Sequence, residues 1–236
     1  MDPQLRQLLE AAARPYREAG RSAWGFARGK LLRDPVFPAL LRQGLLPERG
    51  NLLDVGCGRG TLLSLLSAAR EQHAAGQWPR DWPAPPARLA LRGVDSHAAR
   101  VSLARRALGG RAQIELSDLG DFEFGPCSAI VMIDVLLYLG EALQERVIEK
   151  AVAALEPGGL LLLREADAGA GFAYRMTQWS ARFEAALRGR FAQSLRCRSA
   201  ADWTAALASR GLAVDAQPMS RGTPFANVLF VARKVV

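Results

Sequence analysis

The ten residues 51-NLLDVGCGRG-60 decide how the rest of the chain is interpreted. An apolar run ends here in three glycines at alternate positions, Gly56, Gly58 and Gly60. The run is typical of a buried strand, and the leucine-rich segment 61–70 that follows predicts a helix. A tight turn from strand to helix requires one glycine. Three at this spacing therefore favour a loop whose backbone is approached closely by a ligand.

Strands and helices alternate over residues 51–166, which predicts an α/β fold with a parallel sheet. The predicted strands are 51–55, 89–95, 112–118, 128–134 and 160–166, and the predicted helices are 61–70, 96–108 and 141–155. Two further strands, 212–218 and 226–233, are joined by so short a link that they must be antiparallel neighbours. The expected fold class is a doubly wound, seven-stranded, mostly parallel sheet with an antiparallel last strand and helices on both faces.

Composition excludes several classes of protein. Half of the residues are hydrophobic, which argues against global disorder, and no apolar run is long enough to cross a membrane. Three cysteines without paired spacing predict neither a disulfide framework nor a zinc site, so a reducing cytoplasm is the expected compartment. The net charge of +8 comes from scattered arginines. It fits either a solvated surface or an acidic partner, and it lacks the dense stripe typical of nucleic-acid binders.

The spacing of the glycine loop also bears on the ligand. A dinucleotide-binding loop has the pattern G-x-G-x-x-G, whereas this loop is one residue shorter and follows an aspartate, Asp54. A carboxylate here would repel a pyrophosphate but would suit an ammonium group. The pattern therefore favours an amino-acid-like nucleoside over NAD.

The motif LLDVGCGRG resembles the first motif of the class I S-adenosylmethionine-dependent methyltransferases. The resemblance implies S-adenosylmethionine as cofactor and methyl transfer as activity. It also implies that the backbone of Gly56, Cys57 and Gly58 approaches the amino acid part of the cofactor. Asp54 would then help to hold the ammonium group of the cofactor.

Later positions match the family's pattern in order. Asp95, next to Ser96, would accept hydrogen bonds from both ribose hydroxyls, and Asp118 and Leu119 would contact the adenine. Asp134 would face the methyl group and the substrate. Asp95 lies 41 residues after Asp54, about twice the spacing usual in the family, and the Trp/Pro-rich loop 71–88 accounts for the excess. That loop is expected to be a self-packed surface insertion.

Candidates for the catalytic residues follow from the ends of the fourth and fifth strands. Asp134, Tyr138 and Glu165 are predicted near the transferred methyl, although Tyr138 could equally be a core tyrosine and Glu165 could pair with an arginine. Neither of the two histidines is placed to act as a base. No metal is expected, because Asp167 lacks the neighbouring asparagine that a magnesium-dependent site would have.

The remaining segments are expected to cover the substrate. Residues 1–49 are predicted to form a helical lid, broken at 33–35, on a methyltransferase domain of residues 50–236. In the lid, Arg28 is a candidate for the cofactor carboxylate, and Lys30 or Arg33 for an anionic substrate. A helical substrate-side insertion is predicted at 167–200, where four large apolar side chains would suit an aromatic acceptor: Phe172, Tyr174, Met176 and Trp179.

The leading hypothesis is methyl transfer to a small molecule, to an oxygen of an aromatic or acyl metabolite of the kind made in secondary metabolism. The basic surface would attract an acidic carrier protein if the substrate were tethered to one. Two alternatives stay open: an RNA or protein methyltransferase, and a methyltransferase-like module that binds the cofactor without turnover.

Overall fold

A computed structural model describes residues 2–171, 196–223 and 225–235. Seven strands form one sheet in the order β3-β2-β1-β4-β5-β7-β6. The strands are β1 (Arg49–Val55), β2 (Arg88–Asp95), β3 (Gln113–Leu116), β4 (Cys127–Ile133), β5 (Leu155–Ala166), β6 (Leu212–Pro218) and β7 (Asn227–Lys234). Strand β1 pairs parallel with β2, and β2 with β3, whereas β7 is antiparallel to both β5 and β6.

Helices surround this sheet, and the predicted fold class is confirmed. They are α1 (Pro3–Ala13), α2 (Arg21–Arg33), α3 (Val36–Arg42), α4 (Thr61–Ala74), α5 (Ala98–Leu108), α6 (Glu141–Ala154) and α7 (Ala200–Ala208). The chain divides into two compact units, Met1–Val131 and Met132–Val236. No helix in the described part of the chain is both long and apolar enough to cross a membrane.

The core follows the apolar runs seen in the sequence. Leu52, Leu53 and Val55 of β1 are fully buried, as are the central residues of β4 and β5. The predicted turn 157-PGG-159 falls within the bounds of β5, but pairing with β7 begins only at Leu160, where the sequence predicted the strand to start. Strand β3 is shorter than predicted, and ends before Ser117.

The N-terminal segment has one more break than the sequence predicted. In addition to the interruption at Asp34 and Pro35, a 3₁₀ turn at Arg14–Arg17 separates α1 from α2. Pro15 stands inside that turn, and Gly20 precedes α2 with a positive φ of 102°, a conformation that favours glycine. The hydroxyl of Ser64 in α4 donates to the carbonyl oxygen of Ala12 at 2.7 Å, which fixes the end of α1 on α4.

The long loop after α4 begins later than predicted, because the helix continues to Ala74. Residues 75–87 contain no helix or strand. The rings of Trp78 and Trp82 meet edge to face, with centroids 5.5 Å apart, and the indole of Trp78 donates to the carbonyl oxygen of Pro83. Arg42 lies over the Trp82 ring. The tryptophans thus pack within the loop and against α3, as the self-packed interpretation expected.

Candidate active site

The glycine loop lies between the carboxyl end of β1 and the start of α4. All three of its glycines have a left-handed backbone, with φ of 69° at Gly56, 57° at Gly58 and 75° at Gly60. Residues with a side chain rarely adopt this backbone conformation, so the loop geometry itself requires glycine at alternate positions.

Two of these glycines differ in what surrounds them. A Cβ atom on Gly60 would lie 2.7 Å from Leu108 and 3.2 Å from Ala104, so this glycine also allows α4 to approach α5 closely. A Cβ on Gly58 would meet nothing within 4 Å. The open space beside the backbone is therefore at Gly58, where the sequence placed the ligand.

Asp95 connects the glycine loop to the end of β2. Its carboxylate is buried and accepts hydrogen bonds from the backbone N–H of Gly58 at 3.0 Å and of His97 at 2.8 Å. A carboxylate has about four lone-pair positions, so Asp95 can accept further hydrogen bonds. The geometry is compatible with the predicted binding of two ribose hydroxyls, while also giving Asp95 a structural role.

Asp54 has a different environment. It is only 4% exposed, and its carboxylate accepts no hydrogen bond from any residue that the structure describes. Burial raises the pKa of Asp54 to about 8, with the positive charge of Lys30 acting to lower the pKa and the charge of Asp95 acting to raise it. A buried carboxylate that accepts no hydrogen bond is costly to ionise, and a cationic ligand beside it would lower that cost.

Cys57 packs inside the loop. Its backbone N–H donates to the carbonyl oxygen of Val94 at 2.9 Å, and its side chain is buried. A Cβ on Gly93 would come within 2.9 Å of the Cys57 sulfur, so these two residues fit together between the loop and β2. Burial raises the pKa of the Cys57 thiol, which makes a reactive thiolate unfavourable.

The positions predicted to surround the adenosine lie at the ends of β2 and β3. Ser96 is exposed, with its hydroxyl 3.4 Å from the His97 ring. Asp118 is also exposed, and one of its carboxylate oxygens accepts from the N–H of Gly120 at 2.9 Å, which stabilises a turn. Leu119 is buried. The turn role of Asp118 occupies one oxygen, so its predicted contact with adenine stays a prediction.

Arg28, predicted to bind the cofactor carboxylate, has a partner within the chain. Its guanidinium donates to both carboxylate oxygens of Glu10, from Nε at 2.8 and 2.9 Å and from a terminal nitrogen at 2.5 Å. This hydrogen bonding holds the pKa of Glu10 below its usual value. The basic residue of α2 whose charge acts on the predicted ammonium site is Lys30, which the sequence had suggested for an anionic substrate.

In the second unit, Asp134 follows β4 with a positive φ of 58°, an uncommon conformation for a residue other than glycine. Both oxygens of its carboxylate face the guanidinium of Arg164, with Nε to Oδ1 at 2.9 Å and a second, shorter contact. The Arg164 side chain is only 2% exposed. Asp134 thus neutralises a buried arginine, a role that the sequence-based prediction did not include.

Glu165 is fully buried beside this pair. Its carboxylate accepts three backbone hydrogen bonds, from Val135 at 3.2 Å, Leu136 at 2.8 Å and Leu137 at 3.2 Å. Burial, and then the charge of Asp134, raise the pKa of Glu165 to about 8, while the three N–H groups act to lower it. Glu165 was predicted to bind substrate, to act as a base or to pair with an arginine. Within residues 2–171, 196–223 and 225–235 it pairs with no arginine, and the first two roles stay predictions for a carboxylate that is 1% exposed.

Glu165 binds the backbone of the 3₁₀ turn Leu136–Tyr138. This turn contains Tyr138, the third predicted catalytic residue. The side chain of Tyr138 is 50% exposed, so it is not a core tyrosine. Gln144 of α6 supports the same turn, by donating to the carbonyl oxygens of Leu136 and Leu139. Tyr138 is therefore a half-exposed phenol on a turn whose backbone is held by Glu165 and Gln144.

Sequence reasoning missed two residues, Arg164 and Tyr16, whose hydroxyl donates to the carbonyl oxygen of Arg59 in the glycine loop at 2.9 Å. A basic residue within the apolar run 160-LLLLREA-166 must find a buried partner, and that signal was present in the sequence. Tyr16 had no comparable signal. The predicted insertion at 167–200 lies largely outside the described residues, and so do Phe172, Tyr174, Met176 and Trp179. Asp167 accepts from the backbone of Gly169 and Ala200.

Comparison with known proteins decides the family. The model of a methyltransferase domain matches residues 26–217, most of the chain. The chain belongs to this methyltransferase family. Membership confirms the predicted recognition as a class I S-adenosylmethionine-dependent methyltransferase, the enzyme class and the cofactor.

One relative of this methyltransferase-family chain is the carboxy-S-adenosyl-L-methionine synthase of Chromohalobacter salexigens. It is 33% identical over 132 residues, which are 52% of this chain and 44% of the relative. A second synthase, from Campylobacter fetus subsp. fetus, is 28% identical and matches over 55% of this chain and 50% of its own length. The chain thus spans about half the length of the curated relatives it matches.

Solved structures show the same fold. An O-methyltransferase family protein from Burkholderia thailandensis superimposes with a TM-score of 0.66 at 18% identity, covering 93% of this chain and 62% of the other. An O-methyltransferase from neocarzinostatin biosynthesis, solved with S-adenosylmethionine and 2-hydroxy-5-methyl naphthoic acid, gives a TM-score of 0.58 at 24% identity. It covers 91% of this chain and 57% of its own.

Proposed function

We propose that the protein transfers the methyl group of S-adenosylmethionine to an oxygen of a small-molecule acceptor, an aromatic or acyl metabolite. One observation carries the cofactor part of the proposal. Asp54 is a buried carboxylate without a hydrogen-bond partner among the described residues, in the same loop region as the open backbone of Gly58. An ammonium group supplies the missing charge, and the free side of Gly58 admits the ligand that carries it.

Methyl transfer is an in-line displacement in which the S–CH₃ bond breaks as the O–CH₃ bond forms. The sulfonium becomes a neutral thioether, and the proton of the acceptor oxygen passes to solvent. Since the donor is already activated, the protein's main task is to align donor and acceptor and to exclude water. The residues proposed for the cofactor are Asp54, Gly56, Cys57, Gly58, Asp95, Ser96, Asp118 and Leu119, together with a basic side chain of α2.

On the acceptor side, one residue is proposed to contact the acceptor and two are proposed to support the turn that carries it. Tyr138 is half-exposed and is proposed to contact the acceptor. Asp134 and Glu165 are proposed to act through the turn that carries Tyr138, because Asp134 pairs with Arg164 and Glu165 accepts three backbone N–H groups. A carboxylate whose oxygens are engaged in this way is a poor acceptor for a substrate proton.

The similarity in fold to small-molecule enzymes supports the choice of a small acceptor. The structural neighbours include O-methyltransferases, one of which was solved with a naphthoic acid. The net charge of +8 further supports an acceptor that is tethered to an acidic carrier protein. Equal rates with free and tethered acceptor, with no effect of salt, would contradict the carrier part alone.

A second candidate is chemistry on the cofactor itself. The curated relatives with 33% and 28% identity are carboxy-S-adenosyl-L-methionine synthases, enzymes named for a modified form of the cofactor. Under this candidate the product is an altered nucleoside and no acceptor gains a methyl group.

The test begins with calorimetry of S-adenosylmethionine binding to the wild-type protein and to Asp95→Ala. We expect saturable binding that Asp95→Ala weakens at least tenfold, since a group that accepts from two hydroxyls is lost. Incubation with methyl-labelled cofactor and a panel of phenols and carboxylic acids then follows, with mass spectrometry of every component. Label on an acceptor, with S-adenosylhomocysteine as the nucleoside product, supports the proposal. A nucleoside that is heavier than the cofactor and retains the labelled carbon supports the second candidate. Absence of binding at millimolar cofactor would contradict both.

A further inference from the structure

The glycine loop has an internal backbone hydrogen bond, from the N–H of Gly60 to the carbonyl oxygen of Cys57 at 2.9 Å, and it also receives support from outside. Arg59 stands between Gly58 and Gly60, both in the left-handed conformation, so neither neighbour has a side chain that restricts the backbone around it. Glycine reaches many backbone conformations at little cost, and a loop built from it depends on contacts from outside. A binding loop that is held in one conformation loses less entropy when its ligand binds.

One side of the loop is held by β2. The N–H of Cys57 donates to the carbonyl oxygen of Val94 at 2.9 Å, and that of Gly58 donates to the Asp95 carboxylate at 3.0 Å. These bonds orient the first half of the loop. They do not reach the carbonyl group of Arg59.

The N-terminal segment holds the other side. The hydroxyl of Tyr16 donates to the carbonyl oxygen of Arg59 at 2.9 Å across 43 residues of sequence. The same segment also holds the side chain of Arg59, since the guanidinium lies 4.1 Å from the centre of the Phe26 ring. Residues outside the loop thus contact both the carbonyl oxygen and the guanidinium of Arg59.

Tyr16 itself is rigidly placed. Its ring is fully buried and packs with Ala27 of α2 and Ala107 of α5. Burial raises the pKa of its hydroxyl, which lies near Thr61 and Ser64 of α4, so Tyr16 stays a neutral donor. A neutral hydroxyl on an immobile ring can determine the direction of the carbonyl that it contacts.

We propose that Tyr16 is a positioning residue for the cofactor loop, and that the N-terminal helices thereby set the affinity for the cofactor. The inference rests on the proposed binding of S-adenosylmethionine at this loop. Tyr16→Phe keeps the packed ring and removes only the hydrogen bond to Arg59. The Arg59–Gly60 peptide then keeps the hydrogen bond from the N–H of Gly60 to Cys57 but loses the one that Tyr16 donates to its carbonyl oxygen. The loop is therefore expected to be less ordered before the ligand binds.

The experiment compares wild type, Tyr16→Phe and a control, Leu5→Ala. Leu5 is a buried residue of α1, so its truncation destabilises the same segment without touching the loop. Calorimetry gives the dissociation constants of S-adenosylmethionine and S-adenosylhomocysteine, urea unfolding gives the stability, and hydrogen exchange reports on amides 56–60. We expect Tyr16→Phe to weaken both ligands roughly five- to tenfold, the effect of losing one hydrogen bond.

Faster exchange in the loop, with protection of α4 retained, is expected for Tyr16→Phe and not for Leu5→Ala. Equal dissociation constants for wild type and Tyr16→Phe would overturn the inference while leaving the proposed function intact. So would a loss of affinity in Leu5→Ala that matches its loss of stability, because any weakening of the segment would then suffice. If the wild type binds neither ligand, the proposed function fails and the inference fails with it.

Discussion

Two clusters of carboxylates stand at the carboxyl ends of strands, one in each unit, and they differ in how their charges are satisfied. Asp134 and Glu165 are provided with partners by the chain itself, a buried guanidinium and three backbone N–H groups. Asp54 is buried like Glu165, whereas Asp134 is partly exposed, and Asp54 receives no hydrogen bond from the described residues. In the second unit the carboxylates are bound by an arginine and by the backbone of a turn, whereas in the first unit Asp54 is the carboxylate proposed to bind the ammonium group of the cofactor.

The largest effect is expected at Asp134. Replacing it by alanine removes the carboxylate that both guanidinium contacts of the buried Arg164 face, which costs about 3–5 kcal/mol of unfolding free energy. Urea denaturation measures the loss. The double variant Asp134→Ala/Arg164→Met should recover much of it, because the buried charge is removed as well. A loss below about 1 kcal/mol for the single variant would show that Asp134 is not structural.

Glu165→Ala comes next. Three buried N–H groups of the turn lose their acceptor, and we expect a loss of about 2–3 kcal/mol in the same measurement. Glu165→Gln keeps one acceptor oxygen and should lose less. Cofactor affinity should be unchanged in both variants. A large change in affinity with little loss of stability would mean that Glu165 serves the ligand and would remove the contrast with Asp54.

The glycines allow a matched comparison within the loop. Gly58→Ala and Gly60→Ala both place a side chain at a positive φ, at a cost of about 1–2 kcal/mol each. Only Gly60→Ala also presses against Leu108 and Ala104, so it should lose about 1 kcal/mol more stability. Relative to its loss of stability, Gly58→Ala should lose more cofactor affinity than Gly60→Ala. The reverse order would place the ligand on the other side of the loop.

The smallest effect is the pH dependence of cofactor binding. With a pKa of about 8, Asp54 is protonated in the free protein at neutral pH, and the ammonium of the cofactor would stabilise the ionised form. Binding then releases a proton, so affinity should rise with pH between about 6 and 7.5, by at most tenfold per unit. Above that range the amine of the cofactor begins to lose its own charge. Asp54→Asn should abolish the rise, and a slope that persists in this variant would assign it to another group.

The sequence predicted those parts of the site that depend on chain order. A carboxylate that closes a parallel strand must lie at one edge of the sheet, and this rule placed Asp54 and Asp95 correctly beside the glycine loop. The fold class followed from the same alternation of strands and helices. Both inferences use only local patterns and the direction of the chain.

Local patterns in the sequence did not predict which residues would contact one another through their side chains. Arg28 meets Glu10 across 18 residues, Arg164 meets Asp134 across 30, and Tyr16 meets Arg59 across 43. Each pair depends on how two elements pack, and no spacing in the sequence encodes it. The arginine assigned to the cofactor illustrates the difficulty, since its position was plausible and its charge was already engaged by Glu10.

The hydrogen bond of Tyr16 also bears on where this domain begins. The family model starts at residue 26, after Tyr16 and after the α1 helix whose end is bonded to α4. The segment that the family model matches is therefore shorter than the segment of this chain that packs together, which also includes α1 and Tyr16. A protein trimmed to the family boundary would keep every residue of the glycine loop and lose the hydroxyl that orients it.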